Sequence, residues 1–176
     1  MDETRYAEVT EVEYAVLTEV RNQWFSYLSE ARIRILFDLR KKLSSRKIVL
    51  ARIYKTNDLI KHLTLTEQEA EGTDFIIFLD KVCWDAIPQP DRIRVIRHEL
   101  RHAEVIDKKN PFIIIGHDIE DFESEVQLNQ DDIGWRRRVA TLTEIIYQQR
   151  EEAEREAKKQ AKGPRKRRGV AVTKLL

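Results

Sequence analysis

Cysteine is almost missing from this sequence. Cys83 stands alone among 176 residues, which leaves no partner for an internal disulfide and no thiolate cluster for a metal. Long apolar runs are missing too. Nothing approaches the roughly 20 residues that a membrane-spanning helix needs, and mean hydropathy is −0.55. The opening stretch "MDETRYAEVTEVEY" lacks the apolar segment of a secretory leader, being acidic and broken by charges. Acidic side chains are absent from one region only: residues 158–176 hold eight Lys/Arg and no Asp or Glu. The other 157 residues therefore carry 24 basic and 31 acidic side chains, a net of −7 hidden behind the overall +1. The expectation is an intracellular, cytoplasmic protein with no membrane association. Residues 1–157 should form a single domain large enough for a hydrophobic core, and 158–176 a basic, disordered tail.

What is present is a pattern that changes period along the chain. Val9, Val12, Val16 and Val20 recur at steps of three and four, which predicts a helix over about residues 8–20. In "ARIRILF" (31–37) the period falls to two, with Ile33, Ile35 and Phe37 on one side, as in a strand with one buried face. "KIVLARIY" (47–54) and "DFIIFLD" (74–80) predict two further strands, with a short helix and loop between them. Pro88 and Pro90 halt the chain, and Asp91 can cap a helix over about 91–107, closed by Asn110–Pro111. "PFIIIG" reads as a short extended segment, followed by helices over about 118–127 and 135–157. The expected fold class is α+β, with a small, mostly three-stranded sheet packed against helices in the order α-β-β-β-α-α-α.

Within the proline-started helix lies "VIRHELRHAEV". At 100° per residue, and with Ile93 at zero, Ile96, Leu100 and Ala103 fall within about 280–340° and complete a core stripe. Arg94, Arg97, Arg101 and Glu104 fall within about 20–100°, a charged stripe expected to face solvent. His98 and His102 fall at about 140° and 180°, on neither stripe, as a pair facing a cleft would. Two imidazoles one turn apart can converge on one Zn²⁺, and a carboxylate beside the first, Glu99, can take a proton from water as general base. Three of the four histidines lie within residues 98–117, and a strand precedes the motif helix.

The sequence here resembles the HExxH zincin metallopeptidases and, more narrowly, the small family of putative phage metallopeptidases. The resemblance covers most of residues 8–140. It rests on "ARIRILF", "VLARIYK", "DFIIFLDKVCWD", "HELRH", "GHDIEDF" and Gly134–Trp135. It implies a minimal zincin-like fold and a metal-dependent proteolytic or related hydrolytic role on a peptide or protein substrate.

A third ligand must come from outside the helix. His117, after Gly116 and separated from His102 by fourteen residues, is the choice if it sits on a turn. Glu120, Asp121 or Glu123 would replace it in a His-His-carboxylate site. Asp118 reads either as an acceptor orienting a ligand histidine or as an ordinary helix-cap acid. The strand Phe75, Ile76, Ile77, Phe78 and Leu79 is expected at the sheet edge, where an extended peptide substrate could pair with it. His62, Cys83 and Trp84 read as surface or packing residues. The tail, "KGPRKRRG" above all, could make weak phosphate-backbone contacts with nucleic acid, without aromatics for base stacking. A rival of another class keeps the fold and zinc without catalysis, and binds nucleic acid or protein through that tail.

Overall fold

The computed structural model describes residues 4–44, 46–67, 70–106, 111–117 and 122–161. The chain is α+β, with strands β1 (Tyr6–Glu8), β2 (Ile33–Asp38), β3 (Leu43–Ser44), β4 (Lys47–Ile48), β5 (Ala51–Lys55), β6 (Phe75–Asp80), β7 (Ala103–Val105) and β8 (Phe112–Ile114). The helices are α1 (Glu11–Trp24), α2 (Asp58–Leu63), α3 (Lys81–Ala86), α4 (Gln89–Arg101), α5 (Glu123–Leu128) and α6 (Trp135–Ala161). The main sheet has four strands rather than three, in the order β1-β2-β6-β5. β1 escaped the sequence reading because three residues carry almost no periodic signal. β3 pairs with β4, and β7 with β8, as separate two-stranded ladders.

The expectation that Phe75–Leu79 forms the sheet edge is overturned. β6 is central, running parallel to β2 (Ile35 beside Ile77) and antiparallel to β5 (Ile53 beside Ile77). Its backbone groups are engaged on both sides, so none is left for a peptide along its length. Phe75, Ile77 and Leu79 are buried core side chains, and Ile76 and Phe78 are half-buried on the opposite face. β5 is the edge strand on this side, antiparallel to its neighbour.

The core joins this sheet to α1 and α4. Val16, Leu17 and Val20 of α1 and Ile96 and Leu100 of α4 share one cluster with Ile35, Ile77 and Leu79. α1 begins later than its valine spacing suggested because Thr10 caps it: the Thr10 backbone N–H and hydroxyl both donate to Glu13, at 2.9 and 2.7 Å. The other Glu13 oxygen accepts from Trp84 Nε1 at 3.0 Å, tying α1 to α3. Cys83 and Trp84 are 2% exposed and pack as expected, and burial pushes the Cys83 thiol up to about 12, away from reactivity. His62 is exposed on α2. α6 buries Trp135, Val139, Thr143 and Tyr147, and its residues from Gln148 to Ala161 are exposed throughout. The helix extends four residues into the basic segment, and 162–176 lie outside the described residues.

Three buried aspartates staple these elements. Asp74 accepts from Arg32 Nε at 2.9 Å and from Lys61 Nζ at 2.6 Å, and Asp38 from Arg5 and Arg52. Asp91 accepts from Arg94 and from both terminal nitrogens of Arg138. Asp91 is thus a first-turn ion-pair residue, while the cap position belongs to Pro88, whose φ of −73° suits the helix entry. Burial alone would raise all three carboxyls, but the hydrogen bonds from these cations outweigh it and hold each below the usual carboxylate range. A folded-state value below the unfolded one means stability that is full above about pH 4 and lost as pH falls through the depressed values. Asp80 has the opposite sign, since its burial among Cys83, Tyr147 and the core raises it. The expected result is a melting temperature that falls steeply below about pH 4. Asp74→Asn should flatten that fall, and an unchanged acid limb in the mutant would remove Asp74 from the linkage.

Candidate metal centre and active site

α4 ends at Arg101, well short of the expected residue 107, with His102 as its C-cap in helical conformation (φ −71°). The chain then turns directly into β7, whose ladder with β8 pairs Ala103 with Ile114. That ladder continues by one pair: the His102 carbonyl accepts from the Ile115 N–H at 2.8 Å. The His102 ring repeats the tie, since Nδ1–H donates to the Ile115 carbonyl at 2.8 Å, which makes Nε2 the ring's acceptor nitrogen. Two residues further on, the chain delivers His117. It lies after β8 and not on a helix. Gly116 is not in the left-handed region, and a Cβ there would meet nothing within 4 Å, so the turn does not depend on glycine.

The three histidines meet. Their ligand-capable atoms lie within 4.8 Å of one another, and His98 Nε2 faces His117 Nε2 at 3.2 Å. Two nitrogens bound to one tetrahedral Zn²⁺ at about 2.0–2.1 Å would be about 3.3–3.4 Å apart, so the observed separation fits a shared ion. Among the described residues the group is His98, His102 and His117, with no fourth donor joining it. Burial is graded, from His98 (buried) through His102 (intermediate) to His117 (exposed), so the cluster opens to solvent on one side. Glu123 stays out of the cluster and accepts from Gln127 at 3.4 Å. Asp118, Glu120 and Asp121 lie outside the described residues.

Glu99 is 6% exposed, and its step of about 100° along the helix sets it off the face that carries His98 and His102. Burial pushes its carboxyl up to about 7; electrostatic interactions with His98 and Arg136, and the Ile53 backbone N–H, pull the other way. Ile53 belongs to edge strand β5, so the carboxylate sits where α4 meets the sheet edge. The sequence reading missed Ile53 and Arg136, because neither is near Glu99 in the chain. It also missed the role of Phe122, whose ring lies 4.8–5.6 Å from all three histidine rings. Its one mark in the sequence was its place at the end of "GHDIEDF", the segment that also holds His117.

The charged stripe of α4 does not face solvent. Arg97 is 6% exposed and donates to both oxygens of Glu125, at 3.1 and 2.8 Å, and to Asn129 at 2.6 Å. Arg101 donates to Glu125 at 3.2 Å, and Arg94 pairs with Asp91 and Asp131. Helical phase identifies a face but not what covers it, and here α5 supplies the acceptors.

The three converging imidazoles form a group that could hold a metal ion, with a buried carboxylate next to the first of them on the same helix. Residues 4–157 match a family model described as "Putative phage metallopeptidase", and the chain belongs to that family. No curated protein and no solved structure matches the chain. No helix among the described residues is long and apolar enough to cross a membrane.

Proposed function

We propose that this chain is a cytoplasmic zinc metallopeptidase of the HExxH zincin type, with residues 1–157 as the peptidase unit. The observation that carries the reading is the convergence of His98, His102 and His117, whose ligand-capable atoms all lie within 4.8 Å of one another on a side open to solvent, with Glu99 next to His98 on the same helix. A zinc ion held by the three histidines would act as a Lewis acid and bring the pKa of water towards about 7. Glu99 then accepts a proton from the attacking water on its carboxylate and returns it to the nitrogen of the departing amine. A carboxyl that burial raises above its ordinary value is a better proton acceptor than an exposed one, and it can still release the proton to an amine. The Ile115 carbonyl holds the His102 ring in the tautomer that leaves Nε2 for the ion. The outer edge of β5, beside Glu99, is where an extended peptide substrate would pair by backbone hydrogen bonds.

The test is metal content. Full-length protein purified without chelator should carry close to one zinc per chain, and His98→Ala combined with His102→Ala should lose it. Stoichiometric zinc in that double mutant would sink the reading. His117→Ala with unchanged affinity would pass the third-ligand role to an acid of the 118–121 segment.

A further inference from the structure

One side chain touches all three histidines without offering them a ligand or a proton. Phe122 is 3% exposed, and its ring centroid lies 5.6 Å from His98, 4.8 Å from His102 and 4.9 Å from His117. The planes are inclined at 58°, 70° and 86°, so the contacts are tilted or edge-on. Phe122 is the residue that leads into α5, and its carbonyl accepts from the Glu125 and Val126 N–H groups at 3.0 and 3.1 Å. Glu125, three residues on and 1% exposed, is gripped by Arg97 and Arg101. Those two arginines immediately precede His98 and His102. α4 therefore holds α5 by its arginine face while its histidine face meets the Phe122 ring.

We infer that Phe122 is a positioning residue: an apolar stop, held in place by the Glu125 clamp, that fixes the ring orientations of the three histidines and above all of His117. The inference rests on the reading of the trio as the metal centre. His98 is buried in a regular helix, and His102 is tied to the Ile115 carbonyl. His117 is exposed and follows a three-residue strand, so it has the most freedom to lose. An exposed side chain samples several staggered rotamers. Contact with a buried ring favours the one that directs Nε2 towards His98. Ordering a ligand before the ion arrives raises affinity by reducing what binding must still immobilise. The ring also keeps water from one flank of the imidazoles, and such apolar surroundings tune a metal site. No proton transfer is asked of Phe122, so its effect belongs in metal affinity.

The experiment compares full-length wild type, Phe122→Leu and Phe122→Ala. Each is titrated with Zn²⁺ against a chromophoric chelator and with Co²⁺ as a spectroscopic probe, and melted with and without metal. Phe122→Leu keeps apolar bulk, so its metal-free form should melt near wild type. Its zinc affinity should fall about 10-fold or more, the scale seen when supports behind metal ligands are removed. Its Co²⁺ visible bands should shift, and the metal-induced rise in melting temperature should shrink. A merely structural Phe122 would lower metal-free and metal-loaded melting equally, leaving that rise and the Co²⁺ spectrum unchanged. That result would overturn the positioning role while leaving the metal centre standing. A folded wild type that takes up neither metal would overturn both.

Discussion

Glu99→Gln is expected to lower peptide hydrolysis by roughly 10²–10⁴, the usual contribution of a positioned general base, while zinc stays bound. Gln has nearly the same volume and can still hydrogen-bond, but it cannot accept the proton of the attacking water. Gln can still accept from the Ile53 N–H in the same space, so the mutant should fold as the wild type does. The loss should appear mainly in kcat, since an interaction made only in the transition state has been removed. A diverse peptide or denatured-protein library, read by mass spectrometry, provides the substrate. Equal cleavage by wild type and mutant would take Glu99 out of the mechanism. Loss of zinc in the mutant would instead make it a support for the ligands.

The second large effect concerns stability. Glu125→Leu should destabilise the fold by about 3–5 kcal/mol in denaturant unfolding, because it leaves buried Arg97 without its counter-charge. Arg97 and Glu125 are 7% and 1% exposed at their side chains, so solvent screens the pair little. A buried pair is costly to break but not costly to replace: Arg97→Met with Glu125→Leu should recover much of the loss, since both charges leave together. Additive losses in the double mutant would show that the two side chains act independently. The cycle also bears on the site, since α5 carries Phe122 against the histidines.

Much of the site could be read from the sequence, and the reason is locality. "HELRH" places His98 and His102 one turn apart on any helix, and their separation from the Ile96/Leu100 stripe follows from the 100° step alone. The strands expected over 31–37, 47–54 and 74–80 were visible because alternation and β-branching are written residue by residue, although the second is split into β4 and β5, which belong to different sheets. Chain order cannot say which strand lies at an edge. Phe75–Leu79 has the apolar character of any buried strand, and only its pairing with both β2 and β5 made it central. Likewise, Arg97 has the pattern of a solvent residue until Glu125 and Asn129, about thirty positions later, arrive to cover it.

By itself, then, the sequence determined the α+β class, the acidic body with a basic end, and the helix that presents two histidines and a glutamate. Those depend on backbone periodicity and composition, which neighbours in the chain set. Tertiary structure decided what brings His117 back to that helix, through the β7–β8 ladder and the His102–Ile115 ties. It also decided that Phe122 would stand against all three rings, and that β5 rather than β6 would be the edge strand, with its Ile53 N–H turned to Glu99. Each of those outcomes depends on contacts between segments far apart in the chain, where spacing along the sequence places no constraint on distance in space.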